Sequence, residues 1–391
     1  MKQRYDIRRF TTDNTETDKL RILIMLKDRL PASFSNYIRY LAEGIRRIAK
    51  SRIELLFIHI NDFKGLACKD KGHDRIVLHI PFLGDGSYPR LYDLLKAKMC
   101  KMKVVVTLHG FNTCAARHEL MARSMPCPHE YCSTKRVLYD VRKKILWNII
   151  SRIALVDAII TPSWSEKNVL MKCLGIPEKR IYVIHHGVDT DLYRPRSRKE
   201  CSHILAKYKI GDSYILHVSN YQPVKNVERI VAAYALLKRK FGIKEKLVIA
   251  GRQPRERILR LAISLGLNPR DIIFTGVVSR DDLPCLYSAA KVLVMPSIHE
   301  SFGMPILEAM ACGCPVVTSS VYACVEVSDN AALIVDPFDV KEIAMSVYKI
   351  LADDELRAEL IRRGITRTKS FTWEKSVLMH LKVYETVTGS R

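Results

Sequence analysis

Short apolar runs rich in β-branched residues recur along the whole of this chain, and stretches of helical periodicity lie between many of them. That alternation constrains the fold more than any other feature, because strand followed by helix followed by strand builds parallel sheets covered by helices on both faces. The first half offers strands at 21–25, 54–60, 75–80, 103–108, 158–161 and 180–184. The second offers 214–218, 246–250, 271–274, 292–295, 315–318 and 333–335. Helical pattern occupies 35–50, 135–155, 226–239, 254–265, 281–289 and 305–312, and again 353–391. One open sheet of so many strands is unusual, so the expectation is an α/β chain of two Rossmann-like domains facing across a cleft. Its parts read as a disordered lead-in at 1–18, one domain at 19–190, a charged linker at 191–212, a second domain at 213–370, and a closing helix at 371–391 that packs back on the first domain.

Composition narrows the setting. Hydrophobic residues make up 48% of the chain, enough for two cores, which excludes a disordered polymer. No apolar run approaches the length of a membrane span. The start of the chain is polar and the 11 cysteines are irregularly spaced, so free thiols in a reducing cytoplasm are expected. The formal charge is +23, of which +15 falls within residues 1–190. Such an excess draws a protein toward anionic surfaces; the bland alternative is solvated surface.

The stretch that speaks to chemistry is Glu300-Ser-Phe-Gly-Met-Pro-Ile-Leu-Glu308. A strand ends just before it, glycine shapes the turn, and Pro305 stands where a helix begins. A glycine-preceded helix start offers free N–H groups and the positive end of the dipole, which suits phosphate. The two glutamates are eight residues apart, roughly 12 Å along a helix. A carboxylate accepts paired hydrogen bonds from a vicinal diol, so the pair suits ribose at one end of a ligand and a sugar at the other.

This stretch resembles the E-x7-E signature of glycosyltransferase family 4, the retaining group with the GT-B fold. Other segments resemble the family in the same order: Thr107-Leu-His109-Gly110, Asp157 to Ser163, Val183 to Asp189, Val218-Ser-Asn-Tyr-Gln-Pro-Val-Lys225-Asn226, and Glu326 to Pro337. The resemblance implies a sugar transferred from a nucleotide-diphosphate donor, bound mainly by the second domain, to a glycan or lipid-linked acceptor met by the first. It implies catalytic parts for His109, Lys225 and Glu300. Glu308 would hold ribose, Glu300 the sugar, and Lys225 the departing diphosphate. Ser301 and the backbone N–H groups of Phe302, Gly303 and Met304 would line the donor. No metal and no cofactor beyond the donor is implied. The partners are then the donor, the acceptor and an anionic membrane surface, with the protein cytoplasmic and peripheral on the inner face; nucleic acid is not expected.

Two departures stand out. The family's arginine is replaced by Asn220, and Arg252, at the end of the neighbouring strand, is the cation that could compensate in donor binding. The turn after the first strand, at 27–36, has no glycine. Cys127, His129 and Cys132, with Cys114 and His118 upstream, offer metal-ligating atoms at irregular spacing; free thiols in an insertion are the plainer reading. His185 and His186 precede Gly187 at the domain boundary. Tyr37, Tyr40, Tyr88 and Tyr92 follow helical spacing and suit core or acceptor surface. Two other functions remain open: a nucleotide-sugar epimerase of the same fold, which would turn over without acceptor, and a non-catalytic basic protein that binds nucleic acid. The absence of GxGxxG argues against a dinucleotide oxidoreductase.

Overall fold

The computed structural model describes residues 19–27, 32–63, 75–83, 91–110, 154–211 and 213–389. It divides into two compact units, one of residues 1–185 with 373–391 and one of residues 186–372.

The first unit contains β1 (Leu20–Leu26), α1 (Ala32–Ala49), β2 (Ile53–His59), β3 (Ile76–Leu83), α2 (Leu91–Met99), β4 (Lys103–Leu108), β5 (Ala158–Thr161), α3 (Trp164–Leu174) and β6 (Ile181–Val183). Its six strands pair in parallel in the order β2-β1-β3-β4-β5-β6. Alternate side chains enter cores on opposite faces. Leu23 and Met25 of β1 pack with Val104 and Val106 of β4 on one side; Ile22 and Ile24 pack with Val105 on the other. Burial on both faces is why these strands are continuous apolar runs.

The second unit contains α4 (Arg198–Lys207), β7 (Tyr214–Val218), α5 (Val227–Phe241), β8 (Lys246–Ala250), α6 (Arg255–Ser264), β9 (Ile272–Gly276), α7 (Leu283–Ala289), β10 (Val292–Met295), α8 (Met304–Ala311), β11 (Val316–Ser319), α9 (Ala323–Ser328), β12 (Leu333–Val335), α10 (Val340–Ala352) and α11 (Asp354–Thr368). Its parallel strands run β12-β11-β10-β7-β8-β9. The order reverses between β10 and β7. A doubly wound sheet opens a crevice beyond the carboxyl ends of the strands at such a point. Leu216 and Leu293 face one core; Ile215 and Val294 face the other.

The final helix, α12 (Trp373–Thr388), belongs to the first unit and packs on α1, β3 and β4. The approach to α1 is close: a Cβ on Gly44 would lie 2.5 Å from Cγ2 of Val377. Tyr40 stacks on Trp373 with ring centroids 4.6 Å apart.

Three expectations need correction or relocation. The stretch 191–212 is not a linker. It lies within the second unit, where Ser197 and Glu200 form a capping box at the start of α4 and Cys201, Ile204 and Leu205 enter the core. Its charges lie on the outer helix face and conceal the apolar spacing in the sequence. The first unit ends at His185 rather than at residue 190. Cys100 is disulfide-bonded, a departure from the expectation of thiols throughout, since pairing depends on spatial approach and not on sequence spacing. Cys201, Cys285, Cys312, Cys314 and Cys324 are buried free thiols. The lead-in 1–18, most of the helical stretch 135–155, Tyr88 and the group Cys114, His118, Cys127, His129 and Cys132 lie outside the described residues.

Candidate active site

The carboxyl edge of the second sheet gathers the donor-side candidates. β7 ends at Val218, and a short turn brings Pro223–Lys225 into a single 3-10 turn. β10 ends at Met295, and the loop from Pro296 to Gly303 leads into α8. The two loops are tied together. The Ile298 N–H donates to the Val224 carbonyl at 2.7 Å. Asn226, buried and left-handed at φ 63°, donates its amide to the carbonyls of Pro296 at 2.8 Å and Pro337 at 2.6 Å.

This brace sets the central contact. Lys225 Nζ lies 2.7 Å from Glu300 Oε1, with the Glu300 side chain only 8% exposed. The pair stands beside the point where the strand order reverses. A buried carboxylate needs such a partner, and removing one member strands the other at a cost of about 3–5 kcal/mol. Nearby, His217 is buried on β7. Its Nδ1–H donates to the Val294 carbonyl at 2.9 Å, so Nε2 accepts from the Ser219 hydroxyl at 2.7 Å. Burial lowers His217 to about 4, which keeps it neutral near pH 7.

Asn220 and Arg252 meet, as adjacent strand ends allow. The Arg252 N–H donates to Asn220 Oδ1 at 3.0 Å, and the Tyr221 N–H donates to the Arg252 carbonyl at 2.8 Å. The Asn220 side chain thus braces the backbone, while the Arg252 side chain is exposed. Gly251 between them is required: a Cβ there would lie 2.1 Å from the Ser219 carbonyl oxygen.

α8 begins at Met304 with Gly303 as its N-cap, and no side chain caps it. Ser301 and Met304 are partly exposed and Gly303 is buried beside them. The Phe302 ring points away into the core, edge-on to His186 and Phe371, so only its backbone can serve a ligand. Farther along α8, Glu308 receives the Tyr287 hydroxyl on Oε2 at 2.9 Å, and Tyr193, its ring centroid 6.3 Å from that of Tyr287, stands close enough to act on the carboxylate electrostatically. Burial raises the Glu308 carboxyl above the usual range, and the two phenols and Arg280 oppose the rise.

His109 lies in the first unit, just past β4. Its Nε2–H donates to the Pro81 carbonyl at 3.0 Å, and Phe34 and Tyr37 each pack with ring centroids 4.6 Å away. Burial lowers it to about 3, and His380 nearby adds to the effect. Behind it runs a buried polar chain that the sequence does not announce. His380 Nδ1–H donates to the Ser376 carbonyl at 2.7 Å, so its Nε2 accepts from the Tyr37 hydroxyl at 2.7 Å. Thr107 then donates to Tyr37 at 3.0 Å, His79 Nε2–H to Thr107 at 2.8 Å, and Tyr384 to His79 Nδ1 at 2.7 Å. The proton direction of each link follows from the Ser376 carbonyl, which can only accept.

Residues 204–367 match the family described as Glycosyl transferases group 1, and residues 77–192 match Glycosyltransferase Family 4. O-antigen chain mannosyltransferase B of Escherichia coli is 34% identical over 261 residues, 66% of this chain and 67% of that one. The chain belongs to glycosyltransferase family 4. It is also 32% identical over 245 residues to the serotype-specific mannosyltransferase WbdA of Escherichia coli, covering 62% of this chain and 30% of that longer protein. HepE of Anabaena, solved in complex with UDP and glucose, superposes with a TM-score of 0.68 over 95% of this glycosyltransferase and 100% of HepE. At 16% identity that likeness speaks to fold alone: two parallel α/β units of the GT-B kind.

Proposed function

We propose that this glycosyltransferase moves a hexosyl group, with retention of configuration, from a nucleoside diphosphate sugar to a hydroxyl of a glycan or lipid-linked glycan. The observation that carries the reading is the Lys225–Glu300 pair at 2.7 Å. In the donor, the anomeric carbon and the leaving phosphate oxygen are one bond apart. Groups that serve the two must therefore be neighbours, and these are. As the bond stretches, the ring gains positive charge, which favours the Glu300 carboxylate, and the phosphate gains negative charge, which favours Lys225. The acceptor hydroxyl attacks from the side the phosphate leaves, and its proton passes to the leaving phosphate oxygen. The mannosyltransferase relatives support a hexose, and HepE, solved with UDP and glucose, supports a nucleotide-bound donor.

Donor-saturation kinetics test the assignment. Glu308, on the unchanging ribose, serves ground and transition states alike, so Glu308→Gln raises donor KM more than it lowers kcat. Glu300→Gln lowers kcat, by about tenfold or more, with a smaller change in KM. Wild-type constants in both variants refute the site.

The lipid-linked alternative for the acceptor has its own support. Among the described residues no helix is long and apolar enough to cross a membrane. On α2, however, Leu91, Tyr92, Leu95 and Met99 are exposed and share one helical face, bordered by Lys96 and by Lys98, which also pairs with Asp157. Apolar side chains bordered by lysines suit the surface of an anionic bilayer. Sedimentation with anionic liposomes at low and high salt tests this. Failure to bind at low salt favours a soluble glycan acceptor.

A further inference from the structure

Glu308 accepts the Tyr287 hydroxyl at 2.9 Å, and a second phenol, Tyr193, stands beside that pair on a separate segment of the second unit. Tyr287 comes from α7 and Tyr193 from the segment before α4, and both are buried, with ring centroids 6.3 Å apart. Each is held in place independently of Glu308. The Tyr193 N–H donates to the Asp189 carbonyl at 2.8 Å and the Leu192 N–H to Asp189 Oδ1 at 3.1 Å. Asp189 is in turn paired with Arg280 at 2.7 Å, on the segment leading to α7. The ion pair thus joins the segments that carry the two phenols.

We propose that Tyr287, backed by Tyr193, is a positioning residue that aims the Glu308 carboxylate at the ribose diol of the donor. The proposal rests on the reading of Glu308 as the ribose contact. A carboxylate has about four acceptor directions; Tyr287 occupies part of that capacity and leaves the remainder for a diol. The two phenols also favour the charged form that a diol needs, in a place where burial opposes it. The titratable and charged groups that face Glu308 are the two phenols, Arg280 and Cys312, with Asp189 facing Tyr193. Removing a phenol removes part of the opposition to burial, so the carboxyl holds its proton to higher pH. A packing role for the rings alone predicts no such change, because phenylalanine preserves the ring.

The test is titration of the full chain with UDP, GDP and ADP and with the 2′-deoxy form of whichever binds, between pH 5 and 8. The variants are Tyr193→Phe, Tyr287→Phe and Glu308→Gln, each with its melting temperature. Each phenylalanine variant should weaken the ribonucleotide, Tyr287→Phe by about tenfold, the low end for loss of one hydrogen bond to a charged group. It should weaken the deoxynucleotide less, and shift the acid-side loss of affinity to higher pH. Should Tyr287→Phe fail to fold, Tyr193→Phe carries the same directions of change from the other segment. If Glu308→Gln loses ribose discrimination while both phenylalanine variants keep it and the pH profile, the positioning role is overturned and the ribose reading stands. If Glu308→Gln keeps full discrimination, or if no nucleotide binds, both fall.

Discussion

The two units share six parallel strands and a switch in strand order, yet the buried networks around their site candidates differ, although the first unit also buries Asp93, Glu166 and Lys167 and the second also buries neutral His217 and Asn226. The first unit buries neutral groups in series: Tyr384, His79, Thr107, Tyr37 and His380, ending on the Ser376 carbonyl. The second buries charge, in Lys225 with Glu300 and in Glu308 beneath its phenols. A chain of neutral hydrogen bonds fixes the register of packed elements, here α12 against the first sheet, without asking for a ligand. A partly buried ion pair at a strand end is costly to assemble for stability alone, and it makes sense where a charged ligand will share it. On the proposed reading, similar folds thus carry a structural network in one place and a prepared site in the other.

The largest expected effect is on the charged side. Lys225→Ala removes the cation for the leaving phosphate and strands Glu300 with its carboxylate buried. Turnover should fall about 100- to 1000-fold, the scale seen for loss of a charge-stabilising donor. The first unit should melt as before. Turnover within a few-fold of wild type would break the contrast, since the pair would then be structural too.

Acid should sharpen the contrast from the other direction. His79 lies well below its ordinary value, His380 at about 4 and His109 at about 3, in each case chiefly through burial. Their unfolded value is near 6.5. Above pH 6.5 both states are neutral. As pH falls below 6.5 the unfolded state takes up protons first, so stability is lost down to pH 4 or lower. Three such groups give a limiting slope of about 4 kcal/mol per pH unit. In the second unit His217, at about 4, by itself gives a slope about a third of that. Glu308 opposes it: its raised carboxyl contributes stability that is present below the ordinary value and lost as pH rises through the folded value. Hydrogen exchange followed from pH 7 to 4.5 should show the first unit opening earlier. Simultaneous opening, or the second unit first, would contradict the assignment of neutral buried histidines to the first.

How much of this was legible depends on distance along the chain. The strands were legible because most, such as β4, β8 and β10, are buried along nearly their whole length and form short apolar runs closed by turn residues. α4 was not, because Arg198, Lys199 and Glu200 at its start look like linker and only Cys201, Ile204 and Leu205 reveal the inner face. Glu300 and Glu308 stood out through local spacing. Lys225 stood out within its own motif, but its pairing with Glu300, 75 residues away, did not, and Tyr287, 21 residues from Glu308, was not visible as a partner. The bond from Tyr37 to His380 spans 343 residues, and no spacing rule reaches that far. Asn226 was visible as part of a motif, but its service as a brace to Pro296 and Pro337 is a property of the folded loops.

The smallest expected effect concerns Arg252. Asn220 stands where the family carries arginine, and its Oδ1 is committed to the Arg252 N–H, so it cannot offer charge or a fork of donors to a diphosphate. The Arg252 side chain leaves the end of the neighbouring strand, β8, and is exposed. An exposed cation is screened by water and salt and contributes less than a partly buried one such as Lys225. Arg252→Ala should therefore raise donor KM about three- to tenfold at low ionic strength, leave kcat near wild type, and lose most of its effect at 0.5 M salt. Asn220→Ala supplies the control, because it removes the brace while keeping the guanidinium. If Arg252→Ala is silent at low salt, the second unit manages the diphosphate with Lys225 and the open start of α8 alone, and the missing arginine has no replacement in this strand end. If it instead collapses kcat as Lys225→Ala does, the guanidinium acts on the leaving group directly, and the charged side of the comparison gains a second member.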